Sequence, residues 1–305
     1  MLRAGVLTRL RDEHSMPIYV RLGMQALYHG REQAKLLGSS KMEALLKQQT
    51  IKQGAAFDNP VAAFEHIQAF VKTYEIDCSE LLHPNIADYE TFNQFFYRAL
   101  RPGARPIAAP EDEKVVSSAA DCRLTVFDSV DKAKEIWIKG RNFSLANLLD
   151  DPAKAAQLEN GSVAVFRLAP ADYHRYHSPV KAQVGETKSI EGTYYTVNPC
   201  AVNEDLDVFT ANRRDVTYLT ARTPTPTEVA IVQIGAMLVG SIVRTASPSS
   251  IVERGDELGF FAYGGSTVVA VFPPGKVEWD ADLKRNSEER LETAVRVGEQ
   301  VGRFL

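Results

Sequence analysis

Apolar positions in the first third of the chain recur at helical intervals. Within residues 16–48 they include Met16, Ile18, Leu22, Met24, Leu27, Leu36, Leu37, Met42, Leu45 and Leu46, and the later ones fall on one helical face. Gly38 and the two serines after it separate two helices. A third helix is predicted over residues 60–74, with Phe64, Ile67, Phe70 and Val71 on one side. A short helix through Phe95, Phe96 and Tyr97 ends before Pro102-Gly103. After Arg105-Pro106 the texture changes to short β-branched runs between turn residues. Strands are predicted at 124–127, 136–139, 162–168, 193–197, 229–235, 237–243 and 267–272. Residues 287–304 return to helical spacing through Leu291, Val295, Val297 and Val301. The expected fold class is α+β: N-terminal helices, a mostly antiparallel β catalytic domain and a C-terminal helix. A boundary near residue 85 divides a helical region, 1–85, from a catalytic domain, 86–305.

Composition narrows this picture. The chain has 305 residues, 45% hydrophobic and 24% charged, enough for a sizeable core. A net charge of −4 gives no basic excess, so no nucleic-acid partner is expected. Cys78, Cys122 and Cys200 are odd in number and far apart, which argues against a disulfide framework and a structural zinc site. No signal-peptide core follows the arginines of the first residues. The longest apolar stretch, 229–243, is interrupted by Gln233, Gly235, Gly240 and Ser241 and is too short to span a bilayer as a helix. Membrane contact, if any, is expected to be peripheral.

Three stretches carry chemistry. They are Ala120-Asp121-Cys122-Arg123, the block Asp172-Tyr173-His174-Arg175-Tyr176-His177-Ser178-Pro179, and Tyr263-Gly264-Gly265-Ser266-Thr267. Glycine at 265 leaves the carbonyl before Ser266 open to that serine's own Oγ. An ester formed there can β-eliminate, and hydrolysis of the resulting dehydroalanine leaves an N-terminal pyruvoyl group. The chain would then be cut into residues 1–265 and 266–305. Gly-Gly-Ser is also an ordinary loop sequence. A serine nucleophile needs a base, and a base needs an orienting group. His174 and His177 are candidate bases and Asp121 a candidate orienter. Each is equally compatible with an ordinary structural role. No HExxH or further Cys/His cluster accompanies the histidines, so no metal is expected.

Taken together, these stretches resemble the phosphatidylserine decarboxylases over nearly the whole chain. The resemblance extends through Phe92-Asn-Gln-Phe-Phe-Tyr-Arg, Arg101-Pro-Gly-Ala-Arg-Pro-Ile, Trp137-Ile-Lys-Gly-Arg-Asn-Phe, Tyr195-Thr-Val-Asn-Pro and Val239-Gly-Ser-Ile. It implies self-cleavage between Gly265 and Ser266, with Ser266 as nucleophile and source of a covalent pyruvoyl cofactor. It also implies that His177 is the base, that Asp121 orients it, and that His174 serves decarboxylation. The implied substrate is phosphatidylserine, which would form a Schiff base with the pyruvoyl group and leave as phosphatidylethanolamine and CO₂. The two chains would stay together as a non-covalent heterodimer, and an apolar helical face could pair two of these.

A diacyl lipid leaves a bilayer at a cost of about 0.8 kcal/mol per CH₂, so the enzyme is expected to dock peripherally on the membrane surface. Leu22, Met24, Leu27 and Tyr28, near Arg21, Arg31 and Lys35, are the candidates for that contact. Packing against the catalytic domain would account for these residues equally well. Two rival functions remain: a same-family decarboxylase of a soluble amino acid, and a catalytically silent lipid-binding module. One position departs from the family, which often has Asn-Glu-Arg where this chain reads Asn212-Arg213-Arg214-Asp215. Asp215 is the acid nearest to that loss.

Overall fold

The β-branched runs after residue 105 pair into one large antiparallel sheet flanked by two small ones. A computed structural model describes residues 54–136, 138, 143–195, 197, 207–236, 241–262 and 266–305, with Gln48 and Lys52. The stretch read as helical at 16–48 lies outside the described residues apart from Gln48. So do the side chains read there as a docking surface, together with Gly264 and Gly265.

In chain order the strands are β1 (Val115–Ser117), β2 (Cys122–Phe127), β3 (Ser162–Leu168), β4 (Arg175–His177), β5 (Ala182–Ile190), β6 (Arg214–Ala221) and β7 (Thr227–Gly235). They continue with β8 (Ile242–Arg244), β9 (Ile251–Val252), β10 (Glu257–Phe261), β11 (Ser266–Phe272), β12 (Val277–Trp279), β13 (Thr293–Val295) and β14 (Gln300–Phe304). The helices are α1 (Ala63–Tyr74), α2 (Phe92–Phe96), α3 (Val130–Ile136), α4 (Leu145–Leu149), α5 (Pro152–Leu158), α6 (Val208–Ala211) and α7 (Ala281–Glu288).

The large sheet has the order β13-β2-β3-β11-β7-β6-β5-β9. Its central strands are buried on both faces, which is why β7 and β11 read as continuous apolar runs. One face packs Leu124, Phe166, Val268, Ile231 and Leu219 against residues of both small sheets, β4-β10-β8 and β1-β14-β12. The other face packs Val165, Val269, Val232 and Val216 against α4 and α6. A third cluster joins Ile67 of α1 to Leu81 and to Phe92, Phe95 and Phe96 of α2, drawing on both sides of residue 85.

The α+β class and the antiparallel sheet match the expectation, and α1 and α2 form where helices were predicted. Asn59 caps the 3-10 turn before α1, and Thr91 caps α2 by accepting from Gln94 N at 3.1 Å. A C-terminal helix is present but lies earlier, at α7. Most of 287–304 is strand instead. Thr293, Val295 and Val297 are buried while Arg296 is exposed, and Gly298 turns the chain at φ +82° so that β14 can pair with β1 and β12. Of the strand expected at 136–139, Ile136 closes α3 and residues 137 and 139 lie outside the described residues; among the described residues of 193–197, Thr193 forms an isolated bridge to Asn212.

Candidate active site

Ser266 opens β11 in the middle of the large sheet. It is fully buried, with Leu168 of β3 on one side and Gly235 of β7 on the other. Its Oγ has no hydrogen-bond partner among the described residues. Both segments leaving the Leu168–Ser266 pair lead to the small sheet that carries the histidines. The chain after Leu168 reaches His174, and the chain before Ser266 comes from Phe261, whose N–H donates to His174 O at 2.9 Å.

The histidine block forms β4 and pairs with β10, with a register shift between Glu257 and Gly259. Gly259 permits this. A Cβ there would lie 2.1 Å from Val243 O and 2.4 Å from the Tyr176 hydroxyl. His174 is fully buried, its ring centroid 3.9 Å from that of Phe96. Its Nδ1 donates to Asp172 O at 2.8 Å, which leaves the lone pair on Nε2. His177 donates from Nδ1 to Gly255 O at 2.9 Å, and its Nε2 has no hydrogen-bond partner among the described residues. Tyr173 stacks on it at 5.6 Å. Burial pushes the His177 imidazole below its ordinary pKa, so near neutral pH it is an uncharged ring with Nε2 as acceptor.

Asp121 sits beside this histidine through the backbone, since His177 N donates to Ala119 O at 2.8 Å. The hydrogen-bond acceptor at the imidazole Nδ1 is the Gly255 carbonyl rather than Asp121. Asp121 is occupied elsewhere. It receives Arg105 Nε at 3.0 and 2.9 Å, Arg105 Nη2 at 2.6 Å and Val297 N at 2.8 Å. Its negative charge still favours the imidazolium of His177. Arg105 also meets Glu80 at 2.9 Å, which in turn meets Arg296 at 3.1 Å.

Three further residues hold the site and carried no role in the sequence reading. Asp172 binds Arg123 at 3.1 Å and accepts from Ala169 N at 2.8 Å, and burial pushes its carboxyl up to about 6. Arg98 donates to Ala171 O at 2.8 Å, tying α2 to the histidine block. Gly255 supplies the carbonyl that fixes His177. Both Asp172 and Arg98 lay inside stretches already singled out, but their partners are carbonyls and side chains far along the chain. A cleft of about 770 Å³ opens beside the block, lined by Asp121, Asp172, Tyr173, Arg98, Arg105 and Arg123 among others. Among the described residues no group of three or more His, Cys, Asp or Glu could hold a metal ion.

The family profile described as "Phosphatidylserine decarboxylase" matches residues 92–303, which contain Ser266, His174, His177, Asp121, Asp172, Arg98 and Gly255. The chain belongs to the phosphatidylserine decarboxylase family. It is 41% identical over 294 residues to phosphatidylserine decarboxylase proenzyme 3 of Schizosaccharomyces pombe, covering 96% of this chain and 30% of that protein. It is 42% identical over 307 residues to proenzyme 2 of Komagataella phaffii, covering 98% and 30%. The phosphatidylserine decarboxylase proenzyme of Clostridium perfringens is 37% identical over 271 residues, covering 88% of this chain and 90% of that protein. The chain thus spans under a third of the two yeast relatives and most of the bacterial one.

At the departure from the family's usual Asn-Glu-Arg, Asn212 is fully buried and bridges strands by donating to Tyr195 O and Gly235 O, both at 2.8 Å. Arg214 donates to Leu148 O at 2.8 Å and Asn147 O at 2.6 Å, holding α4 to the sheet. Among the described residues no helix is long and apolar enough to cross a membrane.

Proposed function

We propose that this chain is a self-processing phosphatidylserine decarboxylase whose pyruvoyl group is made from Ser266. The observation that carries the reading is the burial of Ser266 Oγ, without a hydrogen-bond partner among the described residues, at the head of a strand whose neighbour β3 continues to His174. A buried hydroxyl left unsatisfied is costly unless it is used.

In this reading His177 Nε2 takes the proton of Ser266 as Oγ adds to the carbonyl of residue 265. The Gly255 carbonyl keeps that nitrogen unprotonated at the start, and Asp121 stabilises the imidazolium formed. The amide nitrogen leaves the same carbon, so the peptide becomes an ester. β-Elimination then releases the carboxylate of residue 265 and leaves a dehydroalanine, whose hydrolysis gives ammonia and the ketone.

That group supplies an electron sink for the pair left when CO₂ departs from a bound primary amine. His174 keeps Nδ1–H on Asp172 O, takes a proton on Nε2 and passes it to the substrate's Cα. The two chains remain together through the large sheet, since residues 266–305 supply β11 at its centre and β13 at one edge. The protein works at a membrane surface as a peripheral enzyme. Val61, Phe64 and Leu82 are exposed large apolar side chains in and just after the 3-10 turn and helix at 60–74, as a surface contact requires.

Intact mass spectrometry of the purified protein, beside Ser266→Ala, tests the proposal. Two chains are expected, 1–265 and 266–305, the second lighter than a serine-started peptide by the change from serine to pyruvoyl. The variant should stay whole. Release of CO₂ from phosphatidylserine by the cut protein completes the test. A folded, uncut wild-type chain would sink the mechanism.

A further inference from the structure

The function proposed above uses neither Asp215 nor Gln233, although Gln233 lies on the strand beside Ser266 and Asp215 on the next one. Asp215 of β6 is paired with Gln233 of β7, and Gln233 with Val268 of β11. Directly paired residues project from the same face of a sheet, as do residues two apart on a strand. Asp215, Gln233 and Ser266 therefore share one face. It is the face on which Phe166, Ile231 and Leu219 pack with Tyr176 of the histidine sheet. Gly235, directly opposite Ser266, adds no side chain between them.

This placement is chemically unusual. Asp215 is 2% exposed and Gln233 1%. Asp215 Oδ1 and Gln233 Oε1 each lack a hydrogen-bond partner among the described residues. Arg244 Nε lies 3.8 Å from the other carboxylate oxygen, an ion-pair separation beyond hydrogen-bond reach. The Tyr176 hydroxyl donates to Val243 O at 3.3 Å. Two adjacent buried acceptors, one of them anionic, call for a donor that brings positive charge. A primary ammonium fits this need, since it is a compact cation with three N–H donors. The proposed reaction requires a primary amine to reach residue 266.

We propose that Asp215 and Gln233 form the subsite that receives the substrate's ammonium group and hands its nitrogen to residue 266. This rests on the function proposed above, and it assigns the two residues to amine recognition rather than to self-cleavage. They discriminate an amino headgroup from one that offers only a phosphate.

The test is a calorimetric titration of the cut protein with glycerophosphoserine and, separately, with glycerophosphate, which lacks the amine. Wild type, Asp215→Asn and Gln233→Met are compared after mass spectrometry has recorded the cut state of each. Asp215→Asn should weaken glycerophosphoserine binding by about tenfold or more, as loss of a charge-assisted contact predicts, and leave glycerophosphate binding unchanged. Gln233→Met should weaken it in the same selective way by a smaller factor. With phosphatidylserine vesicles the change should fall on KM more than on kcat. If Asp215→Asn fails to fold or to be cut, the Gln233→Met titration decides the question. Unchanged selectivity in the folded variants would overturn the inference and leave the two oxygens to an ordered water. So would a wild-type protein that prefers glycerophosphoserine no more than glycerophosphate. A wild type that binds glycerophosphoserine in this Asp215-dependent way, but releases no CO₂ from phosphatidylserine, would uphold the subsite and sink the function.

Discussion

The strand that begins with Ser266 and the sheet that carries the histidines are built in opposite ways. Every residue of β11 has a partner on β3, and all but Phe272 have one on β7, with no break in register. β4 is three residues long, pairs with β10 across a register shift, and its Tyr176 reaches Val243 O of β8 only because Gly259 of β10 has no side chain between them. An unbroken central ladder fixes the position of Ser266 to within the tolerance of the core. The irregular ladder aims side chains instead. His174 and His177 lie in one short block, yet each is locked by a different backbone carbonyl, Asp172 O and Gly255 O. The contrast teaches that Ser266 is placed by the sheet and the two histidines by local departures from it.

The contrast can be broken at its most sensitive point by His177→Gln. Loss of a positioned base should slow self-cleavage about 100- to 10,000-fold while the fold survives, as followed by mass spectrometry and circular dichroism over time. The pH dependence sharpens the same point. Burial lowers the His177 pKa from its usual 6.5, so its base form persists to more acidic pH than that of an exposed histidine. The cleavage rate should stay level as pH falls through 6.5 and drop only below it. A rate already halved at that pH would contradict the assignment.

Gly259→Ala comes next. The added Cβ collides with Val243 O and Tyr176, so β8 and β10 must separate. Cleavage should slow by about tenfold or more and unfolding should shift to lower denaturant, since overpacking costs about 1–3 kcal/mol. Val269→Ala probes the regular side of the comparison. It leaves a cavity in the helix-facing core, and should cost about 2 kcal/mol in urea unfolding with little effect on cleavage rate in the folded fraction. The smallest effect belongs to Lys154→Ala. Its pair with Glu228 at 2.6 Å is partly exposed, and its loss should cost no more than about 1 kcal/mol.

Much of this architecture was legible in the sequence. β3, β7 and β11 were visible because strands buried on both faces are written as apolar runs. β5 was not, because only Ala182 and Val184 of its nine residues are buried and the rest carry turn-like or polar side chains. β6 was obscured by Arg214 and Asp215, charged residues that the sheet buries. The segment 287–304 misled because four apolar residues near helical spacing also satisfy alternation once Gly298 breaks the run. At the candidate site, Ser266, His174 and His177 could be singled out by residue type, while the roles proposed for them rest on the family resemblance. Their supports could not be: Gly255 acts through a carbonyl, and Arg105 reaches Asp121 only because the chain folds back. No local pattern encodes such contacts.

The central position of β11 also sets the order in which this protein can be made. A strand inserted between two others can join them only while the sheet is forming, and here it arrives attached to everything before it. A bond cut at its head afterwards would leave the segments interlocked like a dovetail joint whose pieces were carved from one board. Separately synthesised halves would have to find that slot from solution, without the high local concentration that a continuous chain provides. The precursor is in this sense its own jig, and subunit exchange between mature molecules should be slower than the unfolding of the sheet itself.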